Sequence, residues 1–279
     1  PIDAFVLDRL RRERLEPSGE TTREKWLRRI SFDLTGLPPT IDELDAFLSD
    51  RSASAFETAV DGYLKSPAFG ERFANEWLDV ARYADTFGYQ ADRDTHVWPW
   101  RDWVIRAFNE NLPYDQFIKL QLAGDLIPAV DTPSARVHDS GASLDGITAT
   151  GMLALAVWEQ VGRDLAVAEI VDSQIDLVGR QLLGLTLACA RCHDHKFDPL
   201  KQEDYYALAG IFRSTTSLTG LKTTVKNWYE RPLATPEQIT AKKKLDESID
   251  KKRSELAAFT ALAKKKTPVA LDAATQSQI

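Results

Sequence analysis

Cys189-Ala190-Arg191-Cys192-His193 gathers both cysteines of the chain and one of its four histidines into a single short stretch. Two thiols three residues apart, followed directly by an imidazole, make the C-x-x-C-H pattern of c-type haem attachment. In that chemistry the thiols bond to the haem vinyl groups and the histidine ligates the iron. On a helical turn, positions i and i+3 share a face, so both sulfurs could grip one porphyrin edge while His193 turns to the metal. The expectation is one covalent haem c held by Cys189 and Cys192, with His193 as an axial iron ligand.

Three other readings compete. A zinc site would draw on Cys189, Cys192, His193 and His195, but structural zinc uses two ligand pairs separated by a loop, and no second pair exists. A thioredoxin-like pair opens a helix after a strand, whereas this one follows the Leu-rich run 182–188. A structural disulfide would close too short a loop to remove much unfolded-state entropy. Haem attachment is the preferred reading, and the iron's second axial position then decides the chemistry. A methionine or histidine there makes an electron carrier, and an open position makes a site that binds or activates a small molecule.

The distal candidates are His96, on an acidic loop, and Met152, in an apolar helical segment; His138, in a long loop, ranks below them. Arg191, Asp194, His195 and Asp198 surround the motif and are read as residues that orient the imidazole or the turn without binding iron. Arg82, Arg101 and Arg191 are candidate propionate partners. Asp85, Asp92 and Asp94 could hold calcium, but they lack an EF-hand register, so a solvated loop is the better reading.

These residues need helices to position them. Apolar residues at helical spacing predict a first helix over Ile2–Leu15 and a second after Thr22, ended by Gly36. A capping box at Thr40 and Glu43 opens a third, Ser54–Lys65 forms a fourth, and Ser66-Pro67 starts a fifth that runs to Tyr83. The polar stretch 84–96 reads as a loop, and the tryptophans at 98, 100 and 103 as core more than pocket wall. Pro99 and Pro113 open further helices, 127–146 is a long loop, and Ile147–Glu159 is helical again. The strongest pattern, Leu165–Ala188, should deliver the thiols at its C-terminal end, and Asp194–Pro199 must turn. Gln202–Phe212 is the next helix, and the Thr-rich segment 217–229 could hold a hairpin. From Thr235 to Lys266 a narrow apolar stripe runs through a charged helix.

The expected fold is therefore mainly α: an irregular multi-helix domain with long loops, at most a minor β-hairpin, and a C-terminal charged helix. Residues 1–230 are expected to form the haem-binding domain, and 231–279 a charged helical linker or coiled-coil-like extension. At 279 residues the chain can bury a sizeable core. A net charge of −7 argues against a nucleic-acid partner, and no run of about 18 apolar residues exists to span a membrane. The chain opens at Pro1 on a helical pattern, without an initiator Met or signal sequence, and so reads as a piece of something longer. Covalent haem attachment would imply export, to the periplasm or cell surface.

Six ordered blocks carry a resemblance: 30–40 (ISFDLTGLPPT), 77–85 (WLDVARYAD), 100–105 (WRDWVI), 113–117 (PYDQF), 121–126 (QLAGDL) and 184–199 (GLTLACARCHDHKFDP). Pro1 to about Phe212 resembles the planctomycete-specific cytochrome c domain family of unknown function, the second such domain of large exported planctomycete proteins. The resemblance implies an exported haem protein with other domains around it, and places haem attachment on Cys189, Cys192 and His193. After Thr150-Gly151 some relatives read Phe-His-Arg-Asn, where this chain has Met152-Leu153-Ala154-Leu155. Electron transfer to a redox partner protein, or to other domains of the parent chain, is favoured over catalysis.

Overall fold

The computed structural model describes residues 2–86, 92, 94–128, 143–155, 163–219, 227–228 and 231–266. The chain is mainly α. Helices α1 (Ile2–Arg12), α2 (Arg23–Thr35), α3 (Ile41–Ser49), α4 (Ala55–Leu64), α5 (Pro67–Val80), α6 (Trp98–Asn109) and α7 (Tyr114–Ala123) follow one another. After them come α8 (Leu144–Ala149), α9 (Arg163–Val178), α10 (Gln202–Arg213) and α11 (Pro236–Lys266). The only strands among the described residues, β1 (Leu218–Thr219) and β2 (Asn227–Trp228), pair antiparallel. No helix among the described residues is long and apolar enough to cross a membrane.

The chain divides into two compact units, one of Pro1–Ala123 with Thr148–Tyr229, the other of Gly124–Ile147 with Glu230–Ile279. In the second, Gly124 and Gly146 approach so closely that a Cβ on either would fall 2.3 Å from the other's carbonyl oxygen. Its α11 leaves Leu245, Ile249, Leu256, Phe259 and Leu262 exposed.

The first unit contains two apolar clusters. Leu27, Phe47, Ala55 and Tyr63 form one, contributed by α2, α3 and α4. Two of its helices begin where local chemistry supplies caps: the Thr22 hydroxyl accepts the Lys25 N–H, and Thr40 and Glu43 close a reciprocal capping box. Gly36, at φ 71°, ends α2 in the left-handed region that glycine adopts without strain. The other cluster joins Val171 and Ile175 of α9 to Tyr205 and Ala209 of α10 around Leu187 and Ala190.

Trp100 and Trp103 are buried, and Trp103 stacks on Phe117 with centroids 5.2 Å apart, whereas Trp98 is half exposed. The tryptophan cluster is thus largely core. The 84–96 segment is drawn together at its neck, where Thr86 bridges Asp94 and the Thr95 N–H donates to the Asp85 carbonyl at 2.8 Å.

Several boundaries differ from the sequence expectation, among them that of α5, which ends at Val80 and not at Tyr83. The first helix stops at Arg12 because Arg14, at φ 58°, turns left-handed and the Leu15 N–H closes back onto the Leu10 carbonyl. In place of the expected Ile147–Glu159 helix, of which 156–159 lie outside the described residues, come α8 and then a 3₁₀ stretch, Thr150–Leu155. There Gly151 lies against Trp100, with 2.9 Å between its would-be Cβ and the tryptophan Cβ. Most consequentially, the helix expected to run to Ala188 ends before the cysteines. After α9 the backbone widens into a π turn, Gly179–Leu183, and Gly184, at φ 66°, reverses it. The chain then folds back on Gly179, whose carbonyl accepts the Leu185 N–H at 3.0 Å.

Candidate functional site

The reversal at Gly184 leads into a 3₁₀ helix, Leu187–Arg191, which carries the first cysteine and is capped by the second. With about three residues per turn, side chains at i and i+3 of a 3₁₀ helix eclipse one another, so this segment has three ridges. Leu187 and Ala190 form one ridge and are buried in the α9/α10 cluster. Ala188 and Arg191 form the intermediate one, and Cys189 and Cys192 form the third, which is exposed. The Cys192 N–H reaches the Cys189 carbonyl at 3.4 Å, closing one turn between the sulfur-bearing residues. Both thiols are free.

His193 is exposed, and its Nδ1–H donates to the Asp194 carbonyl at 2.7 Å. With Nδ1 engaged as a donor, Nε2 is the ring nitrogen left to ligate a metal. Asp194 is also fixed, because its Oδ1 accepts the Gln202 N–H at the start of α10, at 2.9 Å.

His195 faces the other way. Its side chain is 8% exposed, and Nδ1 accepts the N–H groups of Phe197 at 3.3 Å and Asp198 at 2.9 Å. A nitrogen that accepts two N–H bonds carries no proton, so the nearby Asp198 carboxylate, 3.2 Å away, is brought there by the turn and makes no ion pair. The same turn is closed by the His195 N–H on the Leu200 carbonyl at 2.8 Å, as Pro199 led the sequence reading to expect. It leaves Phe197 83% exposed beside the motif.

Beneath the exposed ridge lies a polar network anchored on Arg191. Its carbonyl accepts the Tyr206 hydroxyl and Gln202 Nε2, each at 3.1 Å, and its guanidinium lies 3.1 Å from Asp172 Oδ2. The other Asp172 oxygen accepts the Tyr205 hydroxyl at 2.5 Å. Burial, reinforced by this carboxylate, pushes the Tyr205 phenol well above its ordinary range and keeps it a neutral donor.

Met152 is fully buried in the core, filling space as methionine commonly does. His96 is exposed just before α6, and His138 lies outside the described residues. Arg82 donates to Ser173 and lies 3.7 Å from Asp176, while Arg101 pairs with Asp102. Asp85 accepts the Tyr83 hydroxyl at 2.6 Å. Among the described residues, no three His, Cys, Asp or Glu side chains converge on a metal position. Neither the four-ligand zinc arrangement nor the calcium cluster at Asp85, Asp92 and Asp94 is assembled.

Asp172, Gln202, Tyr205 and Tyr206 were not singled out by sequence. Asp172 reads there as an ordinary polar residue of α9, and the tyrosines as helix packing. Their role depends on where the chain returns after Gly184, which spacing does not encode.

The family model for PSCyt2, described as a protein of unknown function (DUF1549), matches residues 1–217. The chain belongs to that family. No curated protein and no solved structure matches it.

Proposed function

We propose that this PSCyt2 member is an exported c-type cytochrome domain that carries one haem on Cys189, Cys192 and His193 and passes electrons to a redox partner or to other domains of a longer chain. The observation that carries the reading is the ridge pattern of the 3₁₀ turn. Leu187 and Ala190 anchor it, while two unlinked thiols face outward next to an imidazole whose Nε2 is left to ligate a metal. These donors fit a covalently held haem: the thiols suit vinyl addition, Nε2 suits an axial bond, and the Asp194 carbonyl holds the ring's orientation through Nδ1. When bound, the haem supplies a one-electron redox centre. Exposed Phe197 adds apolar surface next to the thiols.

A second reading, an open distal position serving an enzyme or sensor (peroxidase-like or acting on carbohydrate), draws on two observations. Met152 is core, and the His195 ring is locked into its own turn.

Expression together with haem-maturation machinery tests the first reading. The expected result is haem absorbance that survives denaturation and disappears in Cys189→Ser/Cys192→Ser. A denatured wild-type chain free of haem would sink the proposal. Carbon monoxide added to reduced holo-protein separates the two readings: an unchanged spectrum fits the carrier, and an adduct fits the open site.

A further inference from the structure

Arg191, one of the two residues between the thiols, is held more firmly than the thiols themselves. Within the 3₁₀ turn the bond from Cys192 to Cys189 is long, at 3.4 Å, and both sulfurs face solvent. By contrast, Arg191 is gripped at both ends: α10 binds its carbonyl through Tyr206 and Gln202, and Asp172 of α9 binds its guanidinium. Tyr205 in turn orients Asp172, and the Gln202 backbone N–H holds Asp194, whose carbonyl orients His193. The apolar ridge of Leu187 and Ala190 already secures the turn to the core. A partly buried acid–arginine pair adds desolvation cost that packing alone would not require.

We infer that Asp172, Gln202, Tyr205 and Tyr206 are positioning residues for covalent attachment, acting through Arg191 and Asp194 to hold Cys189, Cys192 and His193 in register before the cofactor arrives. The inference rests on the haem reading above. The step they serve is an addition: each S–H adds across a vinyl C=C, forming an S–C bond, with the thiol hydrogen going to the other vinyl carbon and no net oxidation. Two sulfurs must meet two vinyl groups of one rigid ring, so a turn that wanders loses the second bond more readily than the first.

The test compares wild type with Asp172→Asn, Arg191→Gln and Arg191→Lys. In the cofactor-free chain, amide exchange of residues 189–194 should quicken about tenfold in Asp172→Asn, the scale of losing one bond to a charged group, with α2–α4 amides unchanged. After maturation, the doubly attached fraction should fall several-fold in Asp172→Asn and Arg191→Gln, with single-thioether product appearing, and Arg191→Lys should recover part of it.

The midpoint potential of whatever holo-protein forms supplies a signature that mere loosening would not produce. Asp172→Asn leaves the arginine charge unpaired and should shift the potential up, while Arg191→Gln leaves the carboxylate unpaired and should shift it down. Exchange and loading equal to wild type in both variants would overturn the inference, as would potentials that move the same way. If Asp172→Asn also loosens α2–α4, Tyr206→Phe decides, since it removes one hydroxyl from a half-exposed ring; unchanged loading there overturns the clamp. A wild-type chain without haem overturns the proposed function and the attachment role together, and the exchange measurement then judges the clamp by itself.

Discussion

The two apolar clusters of the first unit use similar side chains to opposite ends. Around Leu27 and Phe47, three regular helices, two of them with side-chain caps, seal an aromatic core. Trp26, Phe47 and Phe56 are in ring contact, and the Arg23 guanidinium lies 4.1 Å from the Phe47 centroid while donating to the Phe47 and Asp50 carbonyls. That cation both packs on the rings and terminates α3. Around Ile175 and Leu187 regularity is abandoned: a π turn, a left-handed glycine, a 3₁₀ turn and a tight loop follow one another within about twenty residues. Within the 3₁₀ turn each residue advances about 120°, so Leu187 and Ala190 eclipse on the buried ridge while Cys189 and Cys192 eclipse on the exposed one. Local regularity is broken in the segment that carries both cysteines.

Removing Leu27 tests whether the clusters are separable. Leu27→Ala, at a site 1% exposed, should cost about 2–5 kcal/mol in chemical denaturation, while amides 187–200 keep their wild-type exchange under native conditions. Equal loss of protection in both regions would instead show one cooperative core, and the comparison would fail. The reciprocal change is Gly179→Ala. Its new Cβ would lie 2.7 Å from Leu187 Cγ and 2.9 Å from the Leu185 carbonyl oxygen. Because backbone cannot step aside as a side-chain tip can, we expect a cost of about 1–3 kcal/mol and a fall in haem loading. Gly184→Ala meets nothing within 4 Å but sits at φ 66°, so its cost should be backbone strain alone, about 1 kcal/mol. A smaller effect at Gly179 than at Gly184 would show that the fold-back is looser than described.

What sequence could reach follows the same division. Thr22, Gly36, Thr40 with Glu43, and Ser66 with Pro67 mark the boundaries of α2, α3 and α5 because a cap is a local interaction, made within a few residues of the helix it ends. The C-x-x-C-H motif and the Asp194–Pro199 turn were equally legible. The helix expected to run to Ala188 was not, because the apolar run 182–188 has the same hydrophobicity whether it continues a helix or folds back over Gly179. The clamp on Arg191 was beyond reach for a related reason: Asp172 and Tyr205 lie 33 residues apart and meet only through that reversal. Met152 showed the converse ambiguity, since a thioether ligand and a core filler look alike until burial is known.

The finest contrast lies between one tyrosine in each cluster. Both phenols are pushed above their ordinary range chiefly by burial, but Tyr205 donates to Asp172 while the buried Tyr63 hydroxyl has no partner at bonding geometry among the described residues. Ser31 and Glu43 are near enough to perturb Tyr63, and the Ser31 hydroxyl makes its own bond to the Leu37 carbonyl at 2.7 Å. Removing each hydroxyl should therefore give unlike results. Tyr205→Phe strips a donor from a carboxylate and should destabilise by about 1.5 kcal/mol, whereas Tyr63→Phe removes an unsatisfied group and should be neutral or stabilise by up to about 1 kcal/mol. The pH dependence follows from the same shifts. Because both folded-state values exceed the unfolded one of about 10, the fold favours the neutral phenols. Their contribution is complete below pH ~10 and is lost as pH climbs through the raised values. Stability measured across the alkaline range should fall less steeply in either Phe variant than in wild type, and phenolate absorbance should show each missing late-ionising group. If the two substitutions cost the same, Tyr63 has a partner in solution and the contrast between a sealed core and a clamped turn narrows to their backbones.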